Sequence, residues 1–351
     1  MGRLQASLAL LACLTVVSLV GSPKGEPTSL LGGSGDSVTV VAGEAVQFAG
    51  LTTLVKFVED ETGRTAPTDL QLVGVASSIE PDPQALGSLS VRLGLDGQIA
   101  GSSVPVGRYR PSLNQIAIRE GEYPQTLLAS LLVHEITHAV DDHHTSYGAS
   151  LASLTIQRDT DRNTALRVVA EGRAVFVQSA WLSLADKGLG ETLPTDSSRQ
   201  PPQNPATFRT QLVYREGGAL IQRMGLSSSE DLLFDPPTTR EILFPIPVRS
   251  SEAHETTHEA SGNLSAHSFG AIDIITLLAG STDSFTDRHR ALQVAELVQS
   301  GVVDYTGRQG CGEITLYTDR DDGVEVAALV DGVEFVDVIA AGPQFVVLSA
   351  C

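Results

Sequence analysis

The stretch Leu127–Asp142, LLASLLVHEITHAVDD, limits what this chain can become more than any other. It sets the pentad His134-Glu135-Ile136-Thr137-His138 inside an apolar run. Leu127, Leu128, Leu131, Leu132 and Ala139 recur at helical spacing, which predicts a helix with one stripe against a core. Residues four apart share a helix face, so His134 and His138 aim both imidazoles at one point. At that spacing one rigid element offers two nitrogen ligands to a zinc ion. Glu135 stands about 100° round the helix. From there it reaches a water at the metal as general base and is badly placed as a third ligand.

The pentad occurs twice. The second copy, His254-Glu255-Thr256-Thr257-His258, is flanked by Ser250-Ser251-Glu252-Ala253 and by Glu259-Ala260-Ser261-Gly262-Asn263. Those flanks are polar and loop-like, with β-branched threonines and no apolar stripe. The first copy is therefore the expected metal helix.

Composition limits the partners. The 351 residues carry a formal net charge of -19, with 42% hydrophobic and 19% charged residues. That balance fits a globular chain and argues against nucleic acid or an anionic membrane surface. Met1 to Val20 reads as a secretion signal, with Arg3 before an apolar run from Leu8 to Val20. The run is short for a stable span, so the one membrane contact it allows is an N-terminal anchor. The expected location is extracytoplasmic: secreted, or held in the periplasm or cell envelope. Once a signal is removed, Cys311 and Cys351 remain, a count consistent with one disulfide or with two unrelated thiols.

The pattern divides into a signal over 1–22, a Gly/Ser/Pro-rich linker over 23–37, a main domain over 38–300 and a β-rich segment over 301–351. Apolar spacing predicts a helix within Glu44–Glu61 and strands at Leu70–Ala76, Leu89–Leu95 and Gln115–Arg119. Pro124 suits the first turn of the metal helix. Further helices are expected over Thr164–Lys187, Asn204–Met224, Ala266–Ala279 and Asp287–Ser300, and Ser227 with Glu230 spells a capping box. Strands are expected at Ile314–Tyr317, Val324–Val330, Val333–Ile339 and Gln344–Leu348. The echo of Asp322-Gly323 in Asp331-Gly332 suggests hairpin turns. The fold class is α+β: a mixed N-terminal part with a small sheet, a helical metal-binding core, and a β-rich C-terminal segment.

A catalytic zinc takes three protein ligands and keeps one position open. Glu171, in Ala170-Glu171-Gly172-Arg173-Ala174, is the leading third candidate. Val168, Val169, Val175 and Val177 surround it, and a carboxylate buried there needs a partner. Gly172 and Ala174 would let its helix approach the first closely. The bland alternative is a surface glutamate beside Arg167 and Arg173. His144 is the rival ligand, at the place of the third histidine in HExxHxxGxxH. Asp141 stands where that pattern needs a glycine for its turn. Asp141 or Asp142 could instead accept a hydrogen bond from a ligand imidazole.

His134 to Asp142 followed by Glu171-Gly172-Arg173-Ala174 resembles a group of bacterial, thermolysin-related zinc peptidases of the gluzincin type, whose pattern is HELTHAxxD and then EGxA. Tyr214 to Gly218 matches as well, and Pro236 to Pro245 resembles the group's PPxSTEQILHP, with Phe244 where that group often has His. The likeness spans about Glu44 to Gly307. It implies a zincin-like fold, His134, His138 and Glu171 as zinc ligands, and Glu135 as the base. Tyr214, in a motif shared with the group, is the candidate donor to the oxyanion, with packing of its ring as the alternative role and His267 behind it. The expected activity is hydrolysis of peptide or protein substrates by a metal-activated water. The alternative is an envelope binding module that keeps the fold without turnover. An intact Glu135 speaks against that module.

Overall fold

A computed structural model describes residues 37–76, 106–185, 205–244, 267–280, 285–305, 312–318, 321–331 and 337–349. The expected signal, the linker up to Asp36, the strand at Leu89–Leu95, the second HExxH copy and both C-terminal cysteines lie outside these residues.

The architecture is α+β, with small sheets around long helices. Strand β1 (Ser37–Val40) pairs antiparallel with β5 (Gly121–Pro124). Helix α1 (Leu51–Thr62) starts later than the apolar spacing suggested, because Glu44–Gly50 is spent on a turn and a bridge to β2. Strands β2 (Gln71–Val75), β3 (Gly107–Arg110) and β4 (Gln115–Arg119) form a three-stranded sheet in the order β2-β4-β3. β2 runs parallel to β4 and β3 antiparallel to it, which leaves β3 at an edge.

That edge lies against the helix that carries the first HExxH pentad, α2 (Gln125–Thr145), which follows β5 directly. Pro124 precedes the helix as its cap residue. From Leu128 to Asp141 every residue of α2 but Leu131 is buried, so the helix is wrapped on all sides instead of resting on one stripe. β3 comes close to it through Gly107, where an added Cβ would sit 2.7 Å from Leu131 Cδ2. Ser146 leaves α2 with φ of 56°, and α3 (Tyr147–Gln157) follows at once.

Helix α4 (Thr160–Ala185) joins two hydrophobic cores. Its first half supplies Ala165, Leu166, Val168 and Val169 to a core shared with α5 (Pro205–Met224) and the C-terminal elements. Its second half supplies Val177 and Trp181 to a core shared with α1, α2 and the three-stranded sheet. Trp181 meets Phe57 of α1 edge-on, with ring centroids 5.1 Å apart. Glu171 stands where the buried face of α4 passes from one core to the other.

After α5 the capping box is not at Ser227 and Glu230. Glu230 is paired with Arg64, and the short helix α6 (Asp231–Phe234) has no side-chain cap. The box belongs to Thr238 and Glu241, which open α7 (Thr239–Leu243). The helix expected at Ala266–Ala279 is split. His267–Phe269 forms β6, and α8 runs over Ala271–Gly280. The helix α9 (Phe285–Leu297) likewise ends early, and Val298–Tyr305 becomes β7, whose Val298 is fully buried. In both cases pairing within the second sheet overrides helical spacing.

That second sheet has five strands in the order β6-β7-β8-β10-β9, with β8 (Gly312–Thr318), β9 (Asp337–Ala341) and β10 (Phe345–Ser349). The strand expected at Val324–Val330 is helix α10 (Asp322–Val330). Val326 and Val330 are buried four residues apart and Val324 is 61% exposed, which is a helical face and not an alternating one. The Asp-Gly echo therefore brackets no hairpin: Asp322-Gly323 opens α10, and Asp331 closes it. Ile314, Leu316, Val346 and Leu348 share their core with α4, α5, α8 and α9. Among the described residues no helix is long and apolar enough to cross a membrane.

Candidate metal centre

His134 and His138 leave α2 on one face, and Glu171 reaches them from the middle of α4. His134 Nε2 lies 3.1 Å from Glu171 Oε2 and 3.2 Å from His138 Nε2, and His138 Nε2 is 3.5 Å from the same carboxylate oxygen. The imidazoles stand edge to face, with centroids 4.8 Å apart. Both histidines are 6% exposed, and the Glu171 side chain is 26% exposed.

Three ligand atoms crowded this closely suit a metal ion. An ion bound tetrahedrally at about 2.0–2.1 Å holds its ligand atoms about 3.3–3.4 Å apart. The observed separations bracket that spacing. Among the described residues this is the one group of three or more His, Cys, Asp or Glu side chains that could hold a metal ion. Charges also interlock. Burial pulls the His138 imidazole down, but Glu171, with smaller help from Glu135 and Asp141, carries it up to about 9. Burial would raise the Glu171 carboxyl, yet His138 and His134 hold it well below the ordinary carboxylate range.

Glu135 is outside the cluster, buried at 6% exposure. Its Oε2 accepts a hydrogen bond of 2.7 Å from the backbone N–H of Tyr109 on the β3 edge. The approach permitted by Gly107 makes that bond available.

Tyr214 is brought to the site from α5, its ring stacked on His134 with centroids 6.0 Å apart. As a residue it is 38% exposed, yet burial first and then the Glu171 charge push the phenol well above its ordinary value. The side chain of His267 lies outside the described residues. His144 is turned away: its Nε2 meets the carbonyl of Thr65 at 2.9 Å.

Two expectations are corrected. Gly172 does not serve the approach of α4 to α2; it faces Gly217 of α5. Asp141 and Asp142 do not receive a ligand imidazole. Asp141 is paired with Arg173, and Asp142 accepts from the Tyr109 hydroxyl at 3.2 Å and the Gly148 N–H at 2.7 Å. His138 Nδ1 is buried with no hydrogen-bond partner among the described residues.

Sequence reasoning missed Tyr147, Tyr109 and the true place of Arg173. Tyr147 is 6% exposed, with its ring centroid 6.1 Å from that of His138. Burial first, then Glu171, push its phenol well above the ordinary value. It opens α3 after a left-handed Ser146, a turn without local signature. Arg173, considered only as a surface neighbour of Glu171 in the alternative reading, is 1% exposed.

No protein-family model, curated protein or solved structure matches the chain.

Proposed function

We propose that this chain is a zinc-dependent peptidase of the gluzincin type, with a zincin-like fold and an extracytoplasmic place of work. The observation that carries the reading is the convergence of His134 Nε2, His138 Nε2 and Glu171 Oε2 at tetrahedral-edge spacing, with Glu135 beside the cluster and outside it. A pair of histidines with one glutamate is a ligand set of hydrolytic zinc sites, and a purely structural zinc asks for a fourth protein ligand. The described residues offer three.

Bound zinc supplies a Lewis acid that activates water and polarises a carbonyl. The chain's residues do the rest. Glu135, held at one oxygen by the Tyr109 N–H, takes a proton from the attacking water and returns it to the leaving amine. Tyr214, its ring stacked on His134, is near enough to the cluster to donate to the oxyanion of the attacked peptide carbonyl.

The deciding experiment combines metal analysis with peptide hydrolysis before and after treatment with a chelator. One zinc per chain is expected, with hydrolysis lost on chelation and restored by zinc. A chain that takes up no zinc at these residues, or that hydrolyses peptides equally well with the chelator present, would defeat the reading.

A further inference from the structure

Arg173 follows Glu171 by two residues on α4, and Asp141 follows His138 by three on α2. They are 1% and 3% exposed. Arg173 Nε and Nη2 donate to Asp141 Oδ2 and Oδ1, each at 2.8 Å. Its Nη1 donates to the carbonyl of Leu226 at 2.5 Å and to Ser229 Oγ at 2.8 Å, both in the turn that leaves α5. One guanidinium therefore ties together the helix with both imidazoles, the helix with Glu171, and the end of the helix with Tyr214.

Neither residue is a ligand, and the pair is a poor device for stability alone. Taking two charges out of water costs nearly what their attraction returns, and apolar residues of like volume often serve as well. What apolar contacts do not supply is direction. A planar guanidinium on a carboxylate fixes distance and angle together, so one helix cannot slide or roll on the other without breaking a bond. The ligands need that restraint: His138 Nδ1 has no hydrogen-bond partner among the described residues to orient its ring.

We propose that Arg173 and Asp141 are positioning residues that register α4 on α2, so that His134, His138 and Glu171 converge before a metal arrives, and that this registration sets the metal affinity. The proposal rests on the metal-centre reading above.

The test uses the full chain and zinc itself, with affinity measured by competition against a chromophoric chelator and thermal melting recorded without metal. Arg173→Met with Asp141→Leu replaces the pair by apolar residues. Arg173→Lys keeps the charge and removes the fork. A melt near that of the wild type with zinc affinity lowered about 10–100-fold is the expected outcome, the range seen when residues that orient metal ligands are lost. Cobalt in place of zinc should give an altered visible absorption spectrum in the same variants, a change of ligand geometry that loss of bulk stability would not produce. If the double variant does not fold, Arg173→Lys decides. A folded variant of either kind that binds zinc and displays the cobalt spectrum as the wild type does would overturn the proposal. Glu171→Ala is the separate control: if it binds zinc as tightly as the wild type, the metal-centre reading itself has failed.

Discussion

Gly172 and Gly217 bring the backbones of α4 and α5 into direct contact. A Cβ on Gly172 would lie 2.4 Å from the Gly217 carbonyl carbon, and one on Gly217 would lie 2.3 Å from the carbonyl oxygen of Val168. Neither obstacle is a flexible side chain, so the helices must separate if either glycine gains a methyl group. The crossing sits beside Glu171 and one turn from Tyr214. It explains why Tyr214 can stack on His134 from a different helix. Gly217→Ala should therefore cost about 1–3 kcal/mol of stability and withdraw Tyr214 from the site. Turnover should fall with zinc retained, and Tyr214→Phe should lower turnover with an unchanged melt. Full activity in both variants would remove Tyr214 from the mechanism.

Glu135 is the simplest residue to isolate, because it touches the β3 edge and no ligand atom of the cluster. Glu135→Gln keeps the shape and loses the base. Hydrolysis should drop by about 10²–10⁴ while zinc content and melting stay near the wild type. Near-normal peptidase activity in that variant would assign the proton transfer elsewhere.

Glu171 and His144 separate just as cleanly. Glu171→Ala should abolish tight zinc binding, whereas His144→Ala loses an exposed bond to Thr65 and should leave zinc alone. The second pentad belongs in the same titration: His254→Ala with His258→Ala should leave the zinc stoichiometry unchanged. Zinc lost with His144, or with the second pentad, would move the centre.

The candidate metal group was legible because its chemistry is local. His134 and His138 need only helical spacing, and Glu171 stood out as a carboxylate among valines. β4 was legible to the residue, since Gln115–Arg119 is a β-branched run behind a turn. What stayed hidden depends on distant partners. Nothing near Arg173 in sequence announces that Asp141 lies opposite, and the Tyr109 N–H reaches Glu135 only because β3 is an edge strand. The C-terminal errors have a similar cause. Val324–Val330 fits an alternating and a helical pattern alike, and Val298 could extend α9 until β8 claims it.

A buried polar cluster lies away from the candidate metal centre. Asp161, at the start of α4, is 8% exposed, and its Oδ1 accepts from the Thr239 hydroxyl at 2.5 Å and the Thr239 N–H at 3.2 Å. Gly270 packs against it so closely that a Cβ there would lie 1.6 Å from Oδ1. Across the cluster Arg209 is committed to Asp273 at 3.1 Å and to Thr164 at 2.5 Å. Burial carries the Asp161 carboxyl up to about 7 from an ordinary 3.8, against the lowering effect of Thr239, with Asp273 and Asp159 adding to the rise. The sign follows from a folded pKa above the unfolded one. Below about pH 4 both states hold the proton and the contribution to stability is complete. Between about 4 and 7 the unfolded chain releases it first, so stability is lost as pH rises, on the order of 1.4 kcal/mol per unit. Asp161→Asn keeps an oxygen for Thr239 and has no proton to release. The variant should thus gain on the wild type in melting temperature between pH 5 and pH 7 and hold that gain at pH 8. A difference between the two proteins that stays flat across that range would show that Asp161 is ionised in the fold, with another group answering its charge.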